Sequence, residues 1–259
     1  MILGAQLFTV RKQCESPEAW NESLKKIADI GYKYIQLTAK PEYDVDLMAE
    51  RCKEYGLQVV LTHMPPDKIL GEIDTVIENH RKLGCNIIGF GSIPGFRKGF
   101  SGERVDNFIK DFTPSIERIH EAGMQFSYHN HDMEFARLED KSCTYLDYLC
   151  EQIPADKMII TLDTYWAQAG GADPAAYIRK LKGRMPCVHF KDMVYHAESE
   201  KIRIAPIGEG NMNYDAIIEA CLETGVEYGF VELDDCYGED PFECLARSYK
   251  FLTERYGLN

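Results

Sequence analysis

The sequence predicts an α/β fold, a single (β/α)8 TIM barrel covering residues 1–259. Two observations predict it. Short apolar runs alternate with longer amphipathic stretches along the whole chain, eight of each, as a closed parallel barrel requires. Glycine then recurs shortly before the next strand, at Gly31, Gly56, Gly84, Gly123 and Gly225, where a helix stops and a new βα unit begins. Strands are expected at 2–8, 33–38, 57–63, 86–91, 124–131, 157–163, 185–191 and 228–233. Helices are expected near 17–30, 44–55, 66–83, 102–122, 143–152, 173–182, 213–224 and 240–256. Ser16-Pro17 and Asp173-Pro174 each place a capping side chain before a proline suited to the first helical turn.

Composition agrees with a globular chain. The hydrophobic share is 45% and the charged share 27%, enough for a sizeable core. A formal net charge of −13 argues against a nucleic-acid backbone or an anionic membrane surface as the main partner. The nine cysteines are scattered without a C-x-x-C pair, so free thiols in a reducing cytoplasm are expected and structural zinc is not. The first residues, Met1 to Phe8, read as a strand, with no signal peptide or membrane span.

In a barrel of this kind the chemistry gathers at the C-terminal ends of the strands. That filter selects His63, His129 and His131, Asp163, His189 and Glu232, with Gln6, Gln36 and Ser92 as further polar strand ends. His129 and His131 are two residues apart, which on a strand puts both on one face. Imidazoles and carboxylates on separate strand ends are the donors from which a divalent-metal site is built. Asp163 has a competing role as a helix cap for Thr164-Tyr165-Trp166. His189 opens His189-Phe190-Lys191-Asp192, a density of ionisable groups that a buried strand does not hold without compensation. Asp234 and Asp235 read as a solvated acidic loop, and His80 and His120, inside expected helices, read as surface residues. The Pro206-Ile207-Gly208-Glu209-Gly210-Asn211 segment is expected to act as a lid or substrate-contacting loop through Glu209.

Taken together, Tyr128 to Phe135, Leu162-Asp163-Thr164-Tyr165-Trp166 with Gly170-Gly171-Ala172-Asp173-Pro174, His189 to Asp192, Pro206 to Gly210 and Val231-Glu232-Leu233 resemble the sugar phosphate isomerase/epimerase superfamily, the xylose isomerase-like TIM barrels. That group includes ketose 3-epimerases, hydroxypyruvate isomerase, inosose dehydratase and 3-dehydroshikimate dehydratase, with endonuclease IV more distant. The resemblance implies one divalent ion, Mn2+ foremost with Co2+, Mg2+, Fe2+ or Zn2+ as alternatives. By position it assigns Asp163, His189 and Glu232 to three of the four ligands of the family's Glu–Asp–His–Glu set. The fifth-strand glutamate of the epimerases is a histidine in this chain, and His131, nearer the expected strand end, is preferred over His129. The family is often dimeric or tetrameric, which implies a homo-oligomer.

The expected chemistry is isomerisation or epimerisation of a small keto-sugar or polyol derivative through a metal-stabilised enediolate. Glu232 is the expected base, Lys191 or His63 polarises oxygen or shuttles a proton, and Tyr165 and Trp166 wall the sugar, with His129 beside them. The imidazole in place of a second carboxylate puts two-base epimerisation in doubt. The alternative is dehydration of a keto-inositol or keto-sugar, or elimination from a 3-keto-glycoside. A metal-dependent nuclease lacks its basic face here, and a sugar-binding barrel without chemistry has no need of the ligand set. No arginine cluster stands at the last two strand ends, so an unphosphorylated carbohydrate is expected.

Overall fold

The computed structural model describes residues 1–38, 42–93, 100–140 and 142–259. Strands β1 (Ile2–Gln6), β2 (Tyr34–Thr38), β3 (Gln58–Met64), β4 (Ile87–Phe90), β5 (Gln125–His129), β6 (Met158–Asp163) and β7 (Cys187–Phe190) pair in parallel in chain order. A separate antiparallel hairpin, β8 (Asp192–His196) and β9 (Lys201–Ala205), follows β7. Strand β10 (Tyr228–Val231) then closes the barrel between β7 and β1, with Ile2 opposite Tyr228 at the seam. The fold is the (β/α)8 barrel that the alternation predicts.

Around the sheet lie α1 (Pro17–Ile30), α2 (Val45–Glu54), α3 (Pro66–Gly71), α4 (Ile73–Leu83), α5 (Gly102–Glu121), α6 (Tyr145–Gln152), α7 (Thr164–Ala169), α8 (Pro174–Lys180), α9 (Tyr214–Thr224) and α10 (Pro241–Tyr256). Their ends follow the local chemistry. Ser16 and Asp173 accept the amides of Ala19 and Ala176 across the predicted proline starts, and Thr144 with Asp147 forms a reciprocal capping box on α6. The single helix expected over 66–83 is two, because Glu72 leaves helical geometry at φ −136° and ψ 32°. The short α7 and the β8–β9 hairpin carry no strong periodic signal and were not among the expected elements.

What positions the site is the period of two along each strand. Outward positions such as Ile88, Phe126, Ile160 and Val188 join the large core between sheet and helices. Leu61, Ile87, Ile159, Cys187 and Phe230 form a second, inner cluster. One step up the same inward columns, Ser127 and Thr161 hydrogen-bond at 2.7 Å. A further step up stand His129, Asp163, His189 and Glu232. The interior therefore grades from apolar to polar toward the C-terminal ends, and the site is the top of that gradient.

One irregularity decides which residue β3 contributes. Between β2 and β3 the pairing passes from Ile35–Val59 to Gln36–Leu61, so β3 carries one extra residue. Such a bulge exchanges the two faces of all that follows. It turns Leu61 and His63 inward and Thr62 outward, where the Thr62 hydroxyl donates to Nε2 of His80 at 2.8 Å. His80 is 1% exposed, and its Nδ1–H donates to the Val76 carbonyl at 2.7 Å. The expectation that His80 is a surface residue is corrected: it is the polar link between β3 and α4. His120 is exposed, as expected.

Beside the bulge, an added Cβ on Gly89 would lie 2.0 Å from the Thr62 carbonyl oxygen, a backbone clash that no rotamer relieves. Gly89→Ala is expected to destabilise the barrel by about 1–3 kcal/mol and to weaken the placement of His63, read as a lowered urea midpoint. Burial pulls His80 down to about 4 from 6.5, so in the folded chain it stays neutral where the unfolded chain takes up a proton. Its contribution is complete above pH 6.5 and is lost as pH falls toward 4. The urea midpoint of His80→Gln is expected to fall less between pH 7 and pH 4.5 than that of the wild type.

Candidate metal and substrate site

Five strand ends meet above the inner cluster. Asp163 Oδ2, Glu232 Oε2 and a ring nitrogen of His189 lie within 4.8 Å of one another, and His63, His129 and His189 form a second such group. Asp163 and His189 each have a second contact that aims them. Asp163 uses Oδ1 to accept the amide of Trp166 at 2.9 Å, while its own amide donates to Asn130 Oδ1 at 2.9 Å. It is thus both the cap of α7 and a member of the site, one oxygen to each role. His189 donates Nε2–H to Gln36 Oε1 at 2.6 Å, which orients the ring and turns Nδ1 toward the carboxylates. Nδ1 stands 2.9 Å from Glu232 Oε2.

The centre of the group holds a side-chain cation. Lys191, only 2% exposed, places Nζ 3.0 Å from Asp163 Oδ2, 3.1 Å from Glu232 Oε2 and 2.8 Å from Asp234 Oδ1. Only the Asp234 contact is aligned as a hydrogen bond. Asp163 Oδ2, Glu232 Oε2 and His189 Nδ1 are buried and have no hydrogen-bond partner. Their charge is compensated by the ammonium while their lone pairs remain unfilled. Three converging, unfilled donors of mixed carboxylate and imidazole type fit a divalent cation such as Mn2+, Co2+, Fe2+ or Zn2+.

Electrostatics follow from burial set against these contacts. Burial raises Asp163 to about 6, against the pull of Lys191. Burial opposes the charged form of Glu232 as well, but Lys191 and His189 together outweigh it and hold the group below the usual carboxylate range. For Lys191, burial is overcome by Asp163, Glu232 and Asp234, and the amine stays protonated. His63 is brought to about 3 by burial and by the neighbouring His189, and His129 is lowered well below its usual value by the same causes. The imidazole wall is therefore neutral.

The two histidines of the fifth-strand segment both line one cavity, with ring centres 5.0 Å apart. Strand β5 ends at His129, whose Nε2 is 4.0 Å from Asp163 Oδ2. Beyond it the chain turns through Met133–Phe135, and Glu134 binds the turn by accepting the His131 amide and the Tyr128 hydroxyl at 2.9 and 2.6 Å. His131 is carried outward against Trp166, with ring centres 5.4 Å apart, and belongs to neither donor group. The strand expected to reach residue 131 ends at His129, so the strand-end position on which the preference for His131 rests belongs to His129. Glu134, with both oxygens engaged, is a structural carboxylate and no substitute for a second base.

His63, His129, His131, Lys191, Glu232 and Asp234 line a cavity of about 370 Å³, together with Gln6, Phe8, Arg11, Thr38, Ser92 and Trp166. Arg11 donates to the carbonyls of Phe8 and Asp234, at 2.8 and 2.9 Å, and lies over the Phe8 ring. Neither Arg11 nor Asp234 is picked out by the sequence, because both come from irregular segments with no strand-end signal. Asp234, taken from sequence as solvated, is instead the hydrogen-bond partner of Lys191. Tyr165 packs edge-on against Trp166 and does not line the cavity.

Glu209 is also absent from the lining, being exposed and paired with Arg247 at 2.7 Å. Its loop is organised by Asp192, whose buried carboxylate accepts the amides of Met193, Gly208, Gly210 and Met212 at 2.7 to 3.2 Å. The glycines serve that cradle: a Cβ on Gly210 would sit 2.2 Å from Asp192 Oδ1. The expectation of a substrate-contacting Glu209 is corrected accordingly. Thr164 completes the frame by joining the β6 end to the backbone of His189 and Lys191.

A parallel barrel whose C-terminal face carries buried carboxylates and imidazoles defines a class of barrel enzymes. The family profile described as xylose isomerase-like TIM barrel matches residues 24–252, and the chain belongs to that family. An inosose dehydratase of Lacticaseibacillus casei is 26% identical over 151 residues, 52% of this chain and 49% of the relative. The chain thus matches only about half the length of that relative. A crystal structure of a sugar phosphate isomerase/epimerase from Parabacteroides distasonis superposes with a TM-score of 0.81 at 20% identity, covering 99% of each chain. A structure of L-ribulose 3-epimerase superposes at 0.76 with 16% identity, covering 98% of this chain and 94% of the other.

Replacing Asp192 by alanine leaves four partly buried amides without their acceptor, and an unmet donor costs about 1–3 kcal/mol where water cannot reach it. Asp192→Ala is expected to lower the thermal midpoint and to speed hydrogen exchange selectively at Gly208, Gly210 and Met212.

Proposed function

We propose that this barrel is a divalent-metal-dependent isomerase or epimerase of a small, unphosphorylated keto-sugar or polyol derivative. The observation that carries the proposal is the convergence of Asp163 Oδ2, His189 Nδ1 and Glu232 Oε2, buried and unfilled, beside a sugar-sized cavity. These three residues would hold the ion, with His129 nearer than His131 to the fourth position. When bound, the ion supplies Lewis acidity toward adjacent carbonyl and hydroxyl oxygens.

The rest of the chemistry belongs to the chain. Glu232, ionised and at the cavity wall, is the base placed to take a proton from the carbon beside a carbonyl. His63, neutral and cavity-lining, can accept or return a proton at a substrate oxygen. Lys191 is the cation available to a developing negative charge. Trp166 and Phe8 offer aromatic faces to the apolar side of a sugar. Arg11 is committed to two carbonyls, which supports a substrate without phosphate.

Dehydration is the second reading, favoured by the similarity to inosose dehydratase and by Glu232 facing neutral imidazoles rather than a second carboxylate. Both readings share the first proton abstraction and part afterwards, at reprotonation of the neighbouring carbon or loss of a β-hydroxyl. Near one equivalent of Mn, Co, Fe or Zn is expected by plasma mass spectrometry, and is expected to be lost in Asp163→Ala and His189→Ala. Full metal content in either variant would sink the site. Loss in His129→Ala but not in His131→Ala would place the fourth ligand on the strand end. With keto-sugars and keto-inositols as substrates, rising ultraviolet absorbance of an enone or diketone would decide for the lyase.

A further inference from the structure

The ammonium of Lys191 touches the two carboxylate oxygens that a metal would use, at 3.0 and 3.1 Å. A divalent ion binds such oxygens at about 2.0–2.2 Å, which would set two cations against one pair of oxygens. The ammonium leaves their lone pairs unfilled, so the conflict is one of charge: the two cations would repel each other across the same small volume. Lys191 has an alternative already in contact. Asp234 accepts its aligned hydrogen bond at 2.8 Å and is the most open of the three carboxylates, with 27% of its side chain exposed. Asp234 and Lys191 both line the cavity, and the Trp166 ring centre stands 5.9 Å from Nζ.

We propose that Lys191 is a resident counter-cation that exchanges with the divalent metal. Without metal its ammonium neutralises Asp163 and Glu232 and preserves the charged pocket. When metal arrives, the ammonium withdraws onto Asp234 and stands in the cavity beside the substrate. Metal loading then does two things: it fills the donor group and it releases a cation toward the substrate. The inference rests on the metal reading above and adds a role for Lys191 and Asp234 within it.

The test is calorimetric titration of chelator-stripped full-length protein with Mn2+ alone, for wild type, Lys191→Met and Asp234→Asn. Removing the competitor is expected to tighten Mn2+ binding about tenfold or more, since the wild-type site is free only for the fraction of time that the ammonium is away. Asp234→Asn weakens the alternative seat and is expected to loosen Mn2+ binding relative to wild type. Binding by Lys191→Met where the wild type shows none would also support the exchange. Equal affinity in wild type and Lys191→Met, or weaker binding in Lys191→Met, overturns the exchange and leaves the metal site standing. Absence of binding in all three proteins overturns both readings. If Lys191→Met does not fold, Asp234→Asn decides, and an affinity equal to the wild type rejects the proposal.

Discussion

The constraint on which the rest depends is the burial of two carboxylates, Asp163 and Glu232, above an apolar inner cluster of the barrel. Unpaired ions in such a place carry a desolvation penalty of several kcal/mol each. The surrounding structure supplies cationic and dipolar compensation from many elements at once. Lys191 comes from the end of β7, Gln36 orients His189 from β2, and Asn130 and the first turn of α7 fix Asp163. None of these contacts is local in sequence except the cap. The barrel is the frame that brings each of these pairs into contact.

The same frame explains why two neutral histidines, His63 and His129, stand beside charged carboxylates. His63, His129 and His189 pack with ring centres 4.5 to 5.5 Å apart. Burial in that cluster disfavours a proton on His63 and on His129. The positive charge is therefore concentrated on one flexible amine rather than spread over imidazoles. A lysine stem can move its charge by several ångströms, whereas a ring on a strand cannot, and this is why the counter-cation of the site is a candidate for movement.

The outer loops show a parallel division of labour. Asp192, adjacent to Lys191 in sequence, turns its carboxylate away from the cavity into a ring of backbone amides. Neighbouring charged residues thus serve opposite ends: Lys191 faces the cavity and Asp192 ties the loop after the hairpin to the barrel. The glycine-flanked Glu209 reads as functional only when the loop is taken by itself, since its glycines are required by the cradle and its carboxylate by Arg247.

The sequence by itself determined the barrel, because period-two runs, helix caps and glycine stops repeat in phase and each is a local property of the chain. It also determined that His63, Asp163, His189 and Glu232 gather on one face, because strand ends in a parallel barrel all open the same way. Only the tertiary structure decided the rest. The β3 bulge set which of Thr62 and His63 looks inward, the end of β5 at His129 put that residue and not His131 in a donor group, and partners 38 and 43 residues away set the roles of Glu209 and of Lys191 with Asp234. Parity shifts and long-range charge pairing leave no periodic mark on a sequence, since they depend on which strands and loops become neighbours in space.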